Sequence, residues 1–141
     1  MRTTVSLGLA ILALGSLAIL RATASPAPAP KASRVFELRT YTALPGRAET
    51  MHTRFRDHTC AIFKKHGMEL IGFWTPRAEA DKDKLIYVLA YPSKEAAEAS
   101  WKAFGADPEW KKARDESEKD GKIVAKFESV YMDPTDYSPA R

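Results

Sequence analysis

This sequence predicts an α+β domain in which a four-stranded antiparallel sheet carries its helices on one face. Three observations lead there. Four segments have the alternation or composition of strands, two amphipathic helical patterns separate them, and the order is β-α-β-β-α-β without an internal repeat. That order is the split βαβ arrangement of ferredoxin-like folds, in which the fourth strand lies antiparallel beside the first.

RVFELRTY (34–41) alternates, with Phe36, Leu38 and Thr40 on one face and Val35, Glu37, Arg39 and Tyr41 on the other. Leu44-Pro45-Gly46 then breaks the chain. A helix over about 46–66 follows, because Ala48, Met51, Phe55, Thr59 and Ile62 recur at steps of three and four, flanked by Phe63. Lys64, Lys65 and His66 fill its last turn, where the helix dipole favours cations, and Gly67 stands where a left-handed cap is needed. ELIGFWTP (69–76) is the second strand, with Leu70 and Trp74 on one face and Ile71 and Phe73 on the other. The polar loop RAEADKDK leads into KLIYVLAY (84–91), where Leu85, Tyr87, Leu89 and Tyr91 oppose Ile86, Val88 and Ala90. Ala97, Trp101 and Phe104 form the buried stripe of the next helix. Asp107 and Pro108 supply the cap and first position of a short helix to about Lys119. KIVAKFESVYM (122–132) is the last strand, before an irregular tail.

The domain is expected to occupy residues 34–141. Residues 1–24 have an early arginine, an apolar run from Val5 to Leu20 and Ala22-Thr23-Ala24, the pattern of a signal peptide cleaved after Ala24. Export to a periplasm or the medium follows as the expectation, without stable membrane insertion after cleavage. A retained anchor through residues 5–20 is the alternative, but that run falls short of the about twenty residues a spanning helix needs. Residues 25–33, SPAPAPKAS, form a proline-stiffened tether.

Composition narrows the function. Hydrophobic residues make up 45% and charged residues 28%, the balance of an ordinary globular domain. Without Arg2 and Arg21 the mature chain holds 20 basic and 18 acidic residues, intermixed along the sequence, so nucleic acid is not an expected partner. Cys60 is the only cysteine, which rules out an internal disulfide. Both faces of the sheet carry large apolar side chains, whereas helices cover only one. A second copy packed sheet against sheet is therefore expected, giving a homodimer.

ELRTYT (37–42), PGR (45–47), RFRDH (54–58), KHGMELIGFW (65–74), DPEW (107–110) and YMDPTDYSP (131–139) resemble the NIPSNAP domain, and the resemblance covers about residues 35–139. It implies the dimeric α/β-barrel form of the ferredoxin-like fold. It implies no well-defined reaction, although relatives by fold include cofactor-free monooxygenases, haem-degrading enzymes and dehydratases. Animal members are mitochondrial. This chain is short and carries an export leader, so no mitochondrial partner is carried over.

Candidate site residues are few. His52, His58 and His66 are six and eight apart, and at about 1.5 Å rise per residue the latter two stand roughly 12 Å apart, too far to share a metal ion. Haem needs one axial histidine, for which His58 would serve; the favoured expectation is no metal and no cofactor. His58 and Cys60 point away from each other on a helix, which argues against a nucleophile pair. Arg54 and Asp57, three apart, read as a surface ion pair. Trp74, Trp101 and Trp110 read first as core residues. Glu37 and Arg39 have two readings: charge pairing across strands with Lys126 and Glu128, or Arg39 lining a ligand pocket with Tyr41, Trp74 and Tyr87. The chain thus reads as an exported homodimer that binds a small, partly apolar molecule or a protein partner. The alternative is a cofactor-free monooxygenase or isomerase, with His58 as general base and Arg39 stabilising a developing oxyanion.

Overall fold

The sheet has the order β2-β3-β1-β4 with every neighbouring pair antiparallel. Its strands are Val35–Ala43 (β1), Glu69–Trp74 (β2), Lys84–Tyr91 (β3) and Val124–Met132 (β4). This computed structural model describes residues 34–140; the expected leader and tether, residues 1–33, lie outside the described residues. Strands β1 and β3 take the centre, and the connections match the order expected from sequence.

The first helical stretch comprises Ala48–Arg54 (α1), a π turn at Phe55–Thr59 and Cys60–Lys65 (α2). The π turn has a cause in the spacing. Met51, Phe55 and Thr59 step by four, and on an α-helix each such step drifts by about 40°. A widened turn brings them back into line, so Met51, Phe55, Thr59, Ile62 and Phe63 are all buried. The Thr59 hydroxyl donates to the Arg54 carbonyl at 3.2 Å, occupying an acceptor beside the widened turn. At the far end, Gly67 adopts φ 76°, its N–H bonds to Lys64 O, and Met68 N–H reaches back to Phe63 O. Those two bonds make a Schellman cap that seats Met68 in the core beside Phe63.

Lys94–Ala106 (α3) starts on Ser93, whose hydroxyl accepts from Ala96 N–H. Pro108–Ser117 (α4) starts on Asp107, which accepts from Glu109 N–H at 2.7 Å. Asp107 also receives His66 Nε2 at 2.6 Å and Lys65 Nζ at 3.0 Å, so the end of α2 is clasped to the start of α4. The His66 and Lys65 bonds, with the Glu109 amide, hold the Asp107 carboxyl well below the usual carboxylate range against the opposing effect of burial. The lowered value gives a stabilising contribution that is complete above the unfolded pKa, about 3.9, and is lost as pH falls through the folded one. Asp107→Asn is accordingly expected to flatten the acid limb of the stability profile, read from denaturation midpoints between neutral pH and about pH 3.

Three expectations need correction. Arg54 is not in a surface pair with Asp57: its side chain is buried, bonds Glu118 at 3.0 Å and Ser117 at 3.3 Å, and lies over the Trp110 ring. It ties the π turn to α4. Second, β2 does not alternate cleanly. The register slips between Leu70 and Gly72, so Leu70 opposes Leu89 while Phe73 opposes Tyr87 on the helix side. Trp74 opposes Ile86 on the other face, and its indole lies so close over Gly72 that a Cβ there would meet it at 2.5 Å. Third, Glu37 and Arg39 do not pair with Lys126 and Glu128. The register sets Glu37 against Tyr131 and Arg39 against Ser129, and sends Lys126 and Glu128 to the opposite face, where they pair with each other.

Residues 133–140 run back across the helix-free face. Asp133, Pro134, Thr135, Ser138 and Ala140 of this tail, with Phe36, Ile71, Val88 and Met132, line an open hollow of about 350 Å³. The tail buries Phe36 but leaves Trp74 and Val130 more than half exposed.

Candidate functional site

The helix-facing side of β1 presents two charged residues where a core would be expected to be apolar. Glu37 is 1% exposed. Its carboxylate accepts from four donors: Arg39 Nη1 at 2.7 Å and Ser129 Oγ at 2.6 Å on one oxygen, Tyr91 OH and Trp101 Nε1 at 2.7 Å each on the other. Burial alone would raise its pKa. The bonds from Ser129, Tyr91, Trp101 and Arg39 outweigh burial and hold it below the ordinary glutamate range. The carboxylate therefore stays charged and joins β1, β3, β4 and α3.

Arg39 is not saturated in the same way. Of the five N–H groups a guanidinium carries, one bonds Glu37 and one reaches Tyr41 OH at 3.3 Å. Its Nε is buried without a partner. The guanidinium carbon lies 4.1 Å from the Trp101 ring centre and 4.7 Å from that of Phe127. Beside it stands Tyr87, wholly buried, whose hydroxyl makes no hydrogen bond of good geometry, with Tyr41 and Arg39 as its nearest polar neighbours. Burial and the neighbouring Tyr41 push the Tyr87 phenol well above its usual pKa, against the opposing Arg39 charge, so it is a neutral O–H donor. Tyr41 and Tyr87 meet edge to face with ring centres 5.5 Å apart. Buried unpaired donors are costly, about 1–3 kcal/mol each. A carbonyl or other oxygen acceptor is what such a cluster is equipped to receive.

Of the residues expected to line a pocket, the fold brings Arg39, Tyr41 and Tyr87 together and leaves Trp74 on the opposite face of the sheet. The β2 bulge is the reason: one extra residue changes which face every later side chain takes. His58 lies elsewhere too. It lines an open groove of about 280 Å³ with Asp57, Ile62, Glu109, Lys112 and Glu116, between the first helical stretch and α4. No sheet residue reaches that groove, so His58 and Arg39 do not share a substrate atom there. Burial raises the Cys60 thiol pKa against the pull of Lys64, which leaves Cys60 an un-ionised thiol at neutral pH. Among the described residues no group of three or more His, Cys, Asp or Glu is placed to hold a metal ion, and no helix is long and apolar enough to cross a membrane.

Glu37, Tyr91, Trp101, Phe127 and Ser129 belong to the site and were not legible as such. One signal existed. Tyr87 and Tyr91 share the more apolar face of β3, and two tyrosines on a face packed under helices call for polar partners.

The NIPSNAP family profile matches residues 36–139. An uncharacterized NIPSNAP-like domain protein from Burkholderia xenovorans superposes with a TM-score of 0.67 at 18% identity, over 77% of this chain and 90% of that one. A NIPSNAP family protein with unknown function from Agrobacterium tumefaciens does so with 0.66 at 22%, over 77% and 94%. A second NIPSNAP family protein from Agrobacterium tumefaciens gives 0.68 at 20%, over 77% and 99%. At such identities the likeness is one of fold. No curated protein matches the chain.

Proposed function

The chain belongs to the NIPSNAP family, and from that premise we propose that it is an exported homodimer that binds a small, partly apolar molecule in each subunit. The observation that carries the reading is the pair of buried donors without a well-formed hydrogen bond, Arg39 Nε and Tyr87 OH, set among aromatic rings. Apolar walls with a few convergent polar groups are the usual make-up of a ligand site. Binding needs nothing more, and the one carboxylate beside the cluster, Glu37, already accepts from four donors.

Dimerisation is supported by the helix-free face. Ile71, Trp74 and Val130 are exposed there, and burying a large apolar side chain contributes about 1.5–3 kcal/mol. Packing sheet on sheet across a two-fold axis covers all three in both copies. Export is supported by the sequence of residues 1–24. Native mass spectrometry of the purified protein tests the reading, since it reports subunit number and any retained compound together. The expected spectrum shows a dimer that sheds a small molecule on activation. A bare monomer at micromolar concentration contradicts the proposal.

A further inference from the structure

We propose that the hollow on the helix-free face receives the Tyr137 ring of a second copy of this chain, each subunit giving one ring and taking one. This rests on the homodimer reading above and names the contact that seats the two copies.

The tail supplies both halves of the contact. Thr135 and Ser138 line the hollow, and Ser138 N–H bonds Thr135 O at 3.1 Å, which closes a tight turn. Asp136 and Tyr137 form the tip of that turn, and neither lines the hollow of its own chain. Tyr137 is 82% exposed, more than any other aromatic side chain among the described residues. The turn thus presents a ring to water beside a hollow that its two ends line. An aromatic side chain buries about 150–250 Å² when it packs, so leaving this one out forfeits a large contact.

A second copy brings the same ring from outside. The hollow opens on the face where Ile71, Trp74 and Val130 lack cover, and Ile71 lines the hollow as well. In a two-fold dimer every contact occurs twice. A ring standing beside its own hollow therefore meets the partner's when the axis passes between them. The chemistry matches along the side chain. Phe36, Val88, Met132 and Pro134 give the ring apolar walls, and Asp133 in the same hollow offers an acceptor for the phenol O–H. The proline-rich residues 25–33 and a free small molecule are the other candidates for this space, and neither accounts for the presented ring.

Dimer dissociation constants from sedimentation of the purified protein test the contact. Tyr137→Ala removes two rings per dimer and is expected to weaken dimerisation at least about a hundredfold. The side chain is too exposed for its loss to unfold the subunit. Val88→Phe fills the hollow from the sheet and is expected to weaken dimerisation comparably. Mixing the two variants separates this contact from a general loss of affinity. A mixed dimer keeps one intact contact, from Tyr137 of the Val88→Phe chain to the open hollow of the Tyr137→Ala chain, whereas each homodimer keeps none. It is expected to form about tenfold more tightly than either homodimer. The methyl resonance of Met132, which lines the hollow, is expected to move as the wild type dimerises on concentration.

A wild-type dimer whose affinity Tyr137→Ala leaves unchanged overturns the proposal while the dimer reading stands. A mixed dimer no tighter than the homodimers does the same. A Met132 resonance indifferent to concentration that moves in the triple variant Pro26→Gly, Pro28→Gly and Pro30→Gly assigns the hollow to the chain's own tether. One that moves only on removal of a retained compound assigns it to a ligand. Either result overturns the proposal. A wild type that stays monomeric overturns both readings.

Discussion

Glu37→Ala is expected to lower the unfolding free energy by about 3–5 kcal/mol, since removing one partner of a buried pair strands the other charge. The carboxylate receives Arg39, Ser129, Tyr91 and Trp101. Its loss leaves a guanidinium facing aromatic rings and three further donors without an acceptor. Against a typical stability of about 5–15 kcal/mol, that is a large share. Glu37→Gln should cost less, because volume is kept. It is not neutral, since the amide NH2 must face either Arg39 Nη1 or Trp101 Nε1, and neither can accept. Urea denaturation of the two variants reads the ordering directly. In a double-mutant cycle, Arg39→Met should cost far less on the Glu37→Ala background than on the wild type, because the stranded charge has gone. Equal costs on both backgrounds would show that the two side chains act independently.

The second large effect is Phe63→Ala, with an expected loss of about 3–5 kcal/mol. Phe63 is 1% exposed and packs against Phe104 at 4.9 Å, Trp101 at 5.4 Å, Tyr87 at 6.0 Å and Phe55 at 6.2 Å between ring centres. It joins the first helical stretch to α3 and to the sheet, so the cavity left behind touches every layer. Phe104 is flanked on its other side by Trp110 and has limited freedom to collapse inward. A loss under about 1 kcal/mol in equilibrium denaturation would mean that the core relaxes around the gap.

Much of the fold was legible because its signals are local. Steps of two and of three to four residues marked the strands and helices, and Gly67, Ser93, Asp107 and Pro108 marked where helices end or begin. The features that escaped were those with a break in period. The π turn at Phe55–Thr59 is implied by apolar steps of four, which an even 3.6-residue helix cannot keep in line. The β2 bulge beside Gly72 reverses the phase of the strand; a glycine inside a strand pattern is a recognised sign of it. Missing it set Trp74 on the face of Arg39, which it does not share. Arg39, Tyr41 and Tyr87 share a face because β1 and β3 alternate without interruption. The role of Glu37 was hidden because charge alternation in a strand fits surface pairing equally well, and only the register with β4 separates the two. His58, at the margin of the apolar stripe, gave no indication of which element would face it.

Ligand binding at this site depends on the Tyr87 hydroxyl being buried beside Arg39 without a well-formed hydrogen bond in the protein's own structure. Equilibrium unfolding of ligand-free wild type and Tyr87→Phe tests it. An unmet buried hydroxyl costs stability, so the phenylalanine variant is expected to be more stable by roughly 1–3 kcal/mol. A variant less stable than the wild type would show that the hydroxyl is already bonded within the fold, and that Arg39 and Tyr87 hold nothing in reserve for a ligand.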